Sequence, residues 1–168
     1  LAEGLIRSPG IEVEFFYGAT WSATVRPAPL PGAGNILPWL RSHIPFSYAL
    51  RRIVQSTQFC QRAKHARFDL YHETNILPLP FDGPTVITVH DLSWIRHPEA
   101  HPLERVRAMN TYFQPGLERA NLVLTDSMFV KNELMDLFHI KSDMICPIPL
   151  GVEALFQPRS MQETYGTL

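Results

Sequence analysis

The chain has 168 residues, of which 45% are hydrophobic and 18% are charged, and its formal net charge is −1. This composition predicts one folded domain and excludes a disordered chain, because disorder requires low hydrophobicity together with high net charge. The charge predicts no nucleic-acid partner, since binding nucleic acid depends on clustered Lys and Arg side chains that neutralise phosphates.

The first third of the chain predicts short elements around a long loop. Residues 1–8 resemble the end of a helix, and Gly10 stands where a helix-to-strand turn commonly needs a positive φ. Residues 11–17, which are rich in β-branched and aromatic residues, predict a strand. Residues 18–38 are dense in Pro and Gly and predict a loop. An amphipathic helix is predicted at residues 46–66. The evidence is a set of residues at helical spacing, Leu50, Ile53, Val54 and Thr57.

From residue 68 onward, short apolar runs alternate with helical segments. The runs predict strands at 68–72, 85–89, 121–125 and 144–148. Helices are predicted at 102–119, where Pro115 should kink or divide the helix, and at 127–138. Runs that are apolar at successive positions suit strands covered on both faces, as in parallel sheets. The alternation predicts an α/β fold with a doubly wound parallel sheet in residues 1–152, followed by a linker in residues 153–168.

Polar residues follow the apolar runs of the predicted sheet. Ligands of open α/β sheets bind beyond the carboxyl ends of the strands, so these residues are the candidate site. Imidazole, carboxylate, amide and hydroxyl groups along one edge suit a polyhydroxylated ligand, which needs many directional hydrogen bonds. The groups at these positions are residues 72–75 (His-Glu-Thr-Asn), 90–93 (His-Asp-Leu-Ser), 125–127 (Thr-Asp-Ser) and 149–152 (Pro-Leu-Gly-Val).

His90 is the first candidate for chemistry, because an imidazole at a strand end can hold a hydroxyl group or exchange a proton near neutral pH. Taken alone, His90 could equally be a loop histidine bonded to the backbone, and Asp91 could be a turn or N-cap carboxylate. Ser127 is predicted to cap the helix that follows it. The amides and dipole of that helix end could also face a substrate.

Other chemistries are disfavoured by the spacing of the residues that they need. His97, Glu99 and His101 lie in a Pro-bounded loop and lack the helical spacing of a zinc motif, so no metal is expected. No Gly-rich phosphate loop follows a predicted strand, and the chain has no Gly-x-Ser-x-Gly elbow. Cys60 and Cys146 fit neither a disulfide framework nor a zinc spacing, which favours a reducing, cytoplasmic compartment.

Residues 41–67 form a basic segment without Asp or Glu, and we predict that it contacts the surface of an anionic membrane. Each basic residue near such a surface contributes about 1 kcal/mol. An ordinary solvated helix face accounts for the same pattern equally well. No apolar run approaches the roughly 20 residues that span a bilayer. The basic residues are Arg41, Arg51, Arg52, Arg62, Lys64 and Arg67.

Five short stretches occur in a characteristic order in the second half of the chain. They are FDLYHETN at 68–75, VITVHDLS at 86–93, RHPE at 96–99, ANLVLTDS at 120–127 and IPLGV at 148–152. Together they resemble the N-terminal half of family 4 retaining glycosyltransferases, especially the mannosyltransferase-like branch. The resemblance extends over residues 68–158. It implies a GT-B enzyme with two Rossmann-like domains and catalysis in the cleft between them.

The resemblance assigns this chain to the acceptor side of such an enzyme. The family's opening strand would precede Leu1, and a C-terminal domain after residue 168 would bind a nucleotide-diphosphate sugar. The whole enzyme would transfer a mannose-like hexose, with retention and without a metal or other cofactor. The acceptor would be a saccharide or lipid-linked saccharide in polysaccharide or lipopolysaccharide synthesis, at the inner face of the membrane. The chain alone would be inactive.

The resemblance also implies roles for individual residues of the candidate site. His90 corresponds to the family's histidine near the transferred sugar, Asp91 would support it, and Ser127 corresponds to a hydroxyl facing the cleft. Asn75 and His72 complete the predicted substrate-binding set. Two other functions stay open. One is a GT-B nucleotide-sugar epimerase, which needs paired carboxylates for proton abstraction. The other is a non-catalytic carbohydrate-binding module.

Overall fold

The structure, a computed structural model, describes residues 2–18, 20–26 and 47–152. The strands are β1 (Phe15–Phe16), β2 (Trp21–Ser22), β3 (Tyr71–Glu73), β4 (Thr85–Val89), β5 (Leu122–Thr125) and β6 (Ile145–Pro147). The α-helices are α1 (Ala2–Ile6), α2 (Ser47–Ala66), α3 (Ser93–Arg96), α4 (Leu103–Arg119) and α5 (Met128–Phe138). Single 3₁₀ turns cover Pro98–Ala100 and Ser142–Met144.

The described part of the chain contains a parallel sheet of four strands in the order β3-β4-β5-β6. Its register pairs Val86 with Leu122 and Val89 with Thr125 in the two central strands. Because β3, β4 and β5 run in the same direction, their carboxyl ends lie along one edge of the sheet. We call this edge the carboxyl rim. The predicted α/β class with a parallel sheet flanked by helices is confirmed, and the arrangement is Rossmann-like.

The main core lies between this sheet and the helices α3, α4 and α5. Ile87 and Val89 of β4 are fully buried, and so is Leu134 of α5. Phe113 of α4 makes an edge-to-face contact with Trp94, with ring centroids 4.8 Å apart. Since each fully buried side chain of this size contributes about 1.5–3 kcal/mol, this cluster fixes the positions of the strand ends.

Helix α4 is continuous although it contains Pro115, so of the two predicted effects of this proline, a kink or a division, the division does not occur. A proline within a helix removes one backbone hydrogen bond, and a central one costs about 3 kcal/mol or more. Here Phe113 and Leu117 are buried on either side of Pro115. The packing of these two side chains holds both parts of the helix against the sheet and offsets the lost bond.

The predicted strand at residues 11–17 is wrong in extent. Only β1 forms within it, and β1 pairs antiparallel with β2 in a hairpin separate from the main sheet. Gly18 has a φ of 76°, which allows the tight turn between the two strands. Residues 27–38 of the predicted loop lie outside the described residues. The hairpin packs on a second core, formed by Phe59, Ala63 and Leu79 together with Phe16 and Trp21.

Helix α2 confirms the predicted helix, except for Phe46, which lies outside the described residues. The apolar residues that suggested an amphipathic helix do not pack in the core. Leu50, Ile53 and Val54 are exposed, whereas Phe59 and Ala63 are buried. The buried face is difficult to recognise in the sequence because Phe59 finds its partners in distant aromatic rings. Tyr71, for example, lies 4.6 Å from Phe59 between centroids.

None of the helices within the described ranges combines the length and the apolar character that crossing a membrane requires.

Gly116 marks the closest approach of α4 to the loop that follows β3. A Cβ atom at this position would lie 2.8 Å from Cγ and Cδ of Pro78. We predict that Gly116→Ala lowers the free energy of unfolding by about 1–3 kcal/mol, as overpacking does, despite the better helix propensity of Ala. Urea denaturation measures this change. Gly4→Ala is the matched control, because no atom lies within 4 Å of a Cβ at that helical glycine. Equal stability of the two variants would contradict the close approach.

Candidate functional site

His90 lies at the carboxyl rim between two neighbouring strand ends. It follows β4, and its Nδ1 is 2.7 Å from Oδ2 of Asp126, which follows β5. Its Nε2 is 3.1 Å from the backbone carbonyl of Thr74, which follows β3. The register of the sheet explains this meeting: Val89 is paired with Thr125, so the next residue of each strand, His90 and Asp126, is also adjacent.

The surroundings of His90 favour its protonated form. The hydrogen bond with Asp126 raises the pKa of the imidazole above its ordinary value of 6.5, with the Thr74 carbonyl acting in the same direction. Partial burial opposes this effect. The charges of Asp126 and Asp91 add to the increase. The side chain is 46% exposed, so a ligand can reach it from the rim.

Asp91 is occupied by the turn that leads into α3. Its Oδ1 accepts a hydrogen bond from the backbone amide of Ser93 at 2.8 Å. This bond and the Ser93 hydroxyl hold the pKa of the carboxyl below its usual value. The structure therefore gives Asp91 the role of a turn carboxylate, one of the two alternatives left open by the sequence. Its support of His90 is electrostatic, through its charge.

Ser127 confirms the predicted N-cap of α5. Its Oγ accepts a hydrogen bond from the Val130 amide at 3.3 Å, and its backbone is extended, as an N-cap requires. The side chain lies next to Asp126 in the sequence and is half-buried. Capping and a contact with ligand are compatible, because the hydroxyl keeps a proton to donate and a second lone pair.

His72 lies within β3. The sequence suggested instead that it belongs to the polar residues that follow the strand. Its Nε2 is 2.8 Å from Oγ1 of Thr88 on β4. Burial lowers the pKa of this imidazole, which keeps the ring neutral near neutral pH. The strand begins at Tyr71, later than predicted, and therefore continues through His72 to Glu73. His72 is thus attached to the sheet one layer below the rim.

Asn75 is exposed in the turn after β3, and this turn is held by Glu73, which sequence reasoning did not select. Oε1 of Glu73 accepts the Asn75 amide at 2.8 Å, and Oε2 accepts the Tyr71 hydroxyl at 2.5 Å. Burial raises the pKa of both the Glu73 carboxyl and the Tyr71 hydroxyl. Glu73 therefore fixes the turn that directs the Thr74 carbonyl at His90.

The same turn contains a strained backbone. Ile76 has a φ of 73°, in the left-handed region that β-branched residues rarely adopt, and its side chain is 5% exposed. Such a conformation costs about 1–3 kcal/mol and persists only where the surroundings hold it, which is common beside functional sites. Burial of the Ile76 side chain supplies that constraint. This conformation could not be predicted from the sequence, since an isoleucine at positive φ has no local pattern.

Within the described ranges, no three His, Cys, Asp or Glu side chains come together as metal ligands would. His101 instead places its Nε2 2.9 Å from the Ser93 hydroxyl. His97 lies 3.5 Å from Glu99 in a pair that is mostly exposed.

A parallel α/β sheet flanked by helices, with polar residues at its carboxyl rim, is the arrangement of a Rossmann-like domain. The chain belongs to Glycosyltransferase Family 4, whose family model matches residues 1–154. It is also 31% identical, over 136 residues, to the O-antigen chain mannosyltransferase B of Escherichia coli. The match covers 80% of this chain but 35% of the length of that relative. The predicted family is confirmed, and the chain is a glycosyltransferase domain.

The His90–Asp126 pair predicts a pH dependence of stability. The pKa of His90 is higher in the folded chain than its ordinary value of 6.5. The contribution of this pair to the free energy of unfolding is therefore complete below pH 6.5 and declines as the pH rises through the folded pKa of His90. Urea denaturation at a series of pH values measures the difference in the free energy of unfolding between the wild type and His90→Gln. This difference should shrink as the pH rises from 6.5 through the folded pKa of His90. A difference that stays constant with pH would show that the ion pair does not form.

Proposed function

We propose that this chain is the acceptor-side domain of a retaining hexosyltransferase, and that His90 contacts the reacting sugars at the carboxyl rim. One observation supports this proposal most directly. In a domain of Glycosyltransferase Family 4, a partly exposed imidazole is held by Asp126 and Thr74 at the strand ends. Ligands of open α/β sheets bind at this position. Ser127, Asn75 and His72 are the proposed contributors to substrate binding.

The proposed reaction is that of a whole enzyme in which a separate domain binds the donor. A nucleotide-diphosphate sugar is the donor, and a saccharide or lipid-linked saccharide is the acceptor. The bond between the anomeric carbon and the diphosphate oxygen breaks, the acceptor oxygen bonds to that carbon, and the acceptor proton passes to the diphosphate. No metal takes part. The name of the Escherichia coli relative supports mannose as the sugar and a polysaccharide product.

This proposal predicts separate effects of His90→Ala on activity and stability. In the whole enzyme the substitution should lower turnover by about 100-fold or more, because a positioned acid, base or donor group is lost. The free energy of unfolding should change by only about 0.5–1 kcal/mol, since the ring is partly exposed. Transfer assays with GDP-mannose and thermal melting of the same preparation measure both effects.

The 168-residue chain without the second domain is the control in this assay, and we expect it to transfer no sugar. Normal specific activity of His90→Ala, with a large loss of stability, would make His90 a structural residue. If the wild-type whole protein transfers sugar from none of the nucleotide-sugars, the proposed function is wrong. An epimerised donor as the product would favour the epimerase alternative.

We also propose that the exposed face of α2 contacts an anionic membrane. A lipid-linked acceptor lies in a membrane, so a domain that binds it would contact the membrane surface. Leu50 is 65% exposed and Ile53 is 63% exposed, and they lie one helical turn apart. Arg51 and Lys64 are exposed on the same helix, and residues 47–66 contain no acidic residue. Arg52 does not belong to this face, because it donates to the Pro78 carbonyl at 2.6 Å and lies over the Tyr112 ring.

The membrane proposal predicts that the chain sediments with liposomes that contain phosphatidylglycerol and not with neutral phosphatidylcholine liposomes. Arg51→Gln should weaken this binding by about 5-fold, which corresponds to about 1 kcal/mol for one basic residue at the surface. Arg107→Gln, on the exposed side of α4, is the matched control and should bind as the wild type does. Equal recovery with both kinds of liposome would leave the face as ordinary solvated surface.

A further inference from the structure

Both ring nitrogens of His90 face groups that can only accept hydrogen bonds. Nδ1 faces the Asp126 carboxylate at 2.7 Å, and Nε2 faces the Thr74 carbonyl at 3.1 Å. A neutral imidazole has one N–H group and one unprotonated nitrogen, so it can satisfy only one of these partners. The imidazolium ion donates to both. The two distances together fit a ring that carries two protons.

We propose that Asp126 is a positioning residue that holds His90 as an imidazolium, so that His90 serves the reaction as a hydrogen-bond donor and not as a base. The Nδ1–H group keeps its hydrogen bond to Asp126. The Nε2–H group exchanges its hydrogen bond to the Thr74 carbonyl for one to a ligand oxygen, and its proton stays on the ring. The ligand group is thus an acceptor oxygen, such as a sugar hydroxyl. This inference rests on the proposed function in so far as it concerns the reaction.

The position of Asp126 suits an acidic side chain. It directly precedes Ser127, the N-cap of α5, and the amino end of an 11-residue helix carries a partial positive charge that favours a nearby anion. Its side chain is 24% exposed, less than that of His90. Asp126 therefore lies on the protein side of the pair, while the ring of His90 is on the accessible side.

The other groups around His90 are consistent with a cation. From β3, the turn held by Glu73 presents the Thr74 carbonyl. From the His90 segment itself, Asp91 contributes a negative charge that also favours the imidazolium. The acidic and carbonyl groups thus come from each of the three neighbouring strand ends. They raise the pKa of His90 despite its partial burial.

Nuclear magnetic resonance of the 168-residue chain tests the protonation directly and without a ligand. In a two-bond nitrogen–proton correlation spectrum, His90 should show protons on both ring nitrogens at pH 6.5, and its titration midpoint should lie above this value. Asp126→Asn should lower the midpoint, because the amide carries no charge. Asp136→Asn, which removes an exposed carboxylate of α5, is the matched control and should leave the midpoint unchanged. A singly protonated ring at pH 6.5, or equal midpoints in both variants, would overturn the proposal.

Activity of the whole enzyme distinguishes a donor from a base. The amide of His90→Gln keeps an N–H group near the Nε2 position but cannot take up a proton. We expect kcat/KM to fall by about 10-fold for His90→Gln, the cost of replacing a charged donor with a neutral one, against about 100-fold for His90→Ala. Equal losses would favour a base and overturn the donor role. If the wild type transfers no sugar, the proposed function fails, whereas the protonation of His90 is still decided by the spectrum.

Discussion

The parallel pairing of β4 with β5 is the constraint on which the candidate site depends. This register pairs Val89 with Thr125, and both side chains are fully buried. Because the core packs around Val89 and Thr125, the residues that follow them, His90 and Asp126, cannot shift relative to each other without moving the core. The contact between His90 and Asp126 is therefore a consequence of strand register, and the apolar packing below it fixes the positions of both residues.

The second hydrogen-bond partner of His90, the Thr74 carbonyl, depends on a separate set of contacts. Arg52 of α2 donates to the Pro78 carbonyl and stacks on Tyr112 of α4, with 4.5 Å from the guanidinium carbon to the ring centroid. These contacts hold the loop after β3 between two helices, and Gly116 allows α4 to approach it closely. The strained backbone of Ile76 is retained inside this loop. The surrounding contacts hold the loop in this conformation, and with it they keep the Thr74 carbonyl at the rim, within 3.1 Å of His90.

Sequence patterns predict the elements whose packing is local in character and miss those that depend on distant partners. The run at 85–89 gives β4, and Ser127 gives the start of α5, since an apolar run and a capping serine act through their immediate neighbours. The orientation of α2 could not be predicted, because Phe59 packs against rings far away in the sequence. In the candidate site, the rule on strand ends identifies His90. Its partner Asp126 is 36 residues away, and only the register of the sheet relates the two.

The charges at the rim bear on which part of a substrate this domain can hold. An imidazolium at His90 is balanced by the carboxylate of Asp126, and Arg105 acts electrostatically on Asp91. Charges so matched create no strong field for a phosphate group, which needs an excess of donors and positive charge. A hydroxyl group, by contrast, can accept from the imidazolium and donate to a nearby carboxylate at once. The balance of charge at the rim therefore suits a ligand that presents hydroxyl groups better than one that presents a phosphate.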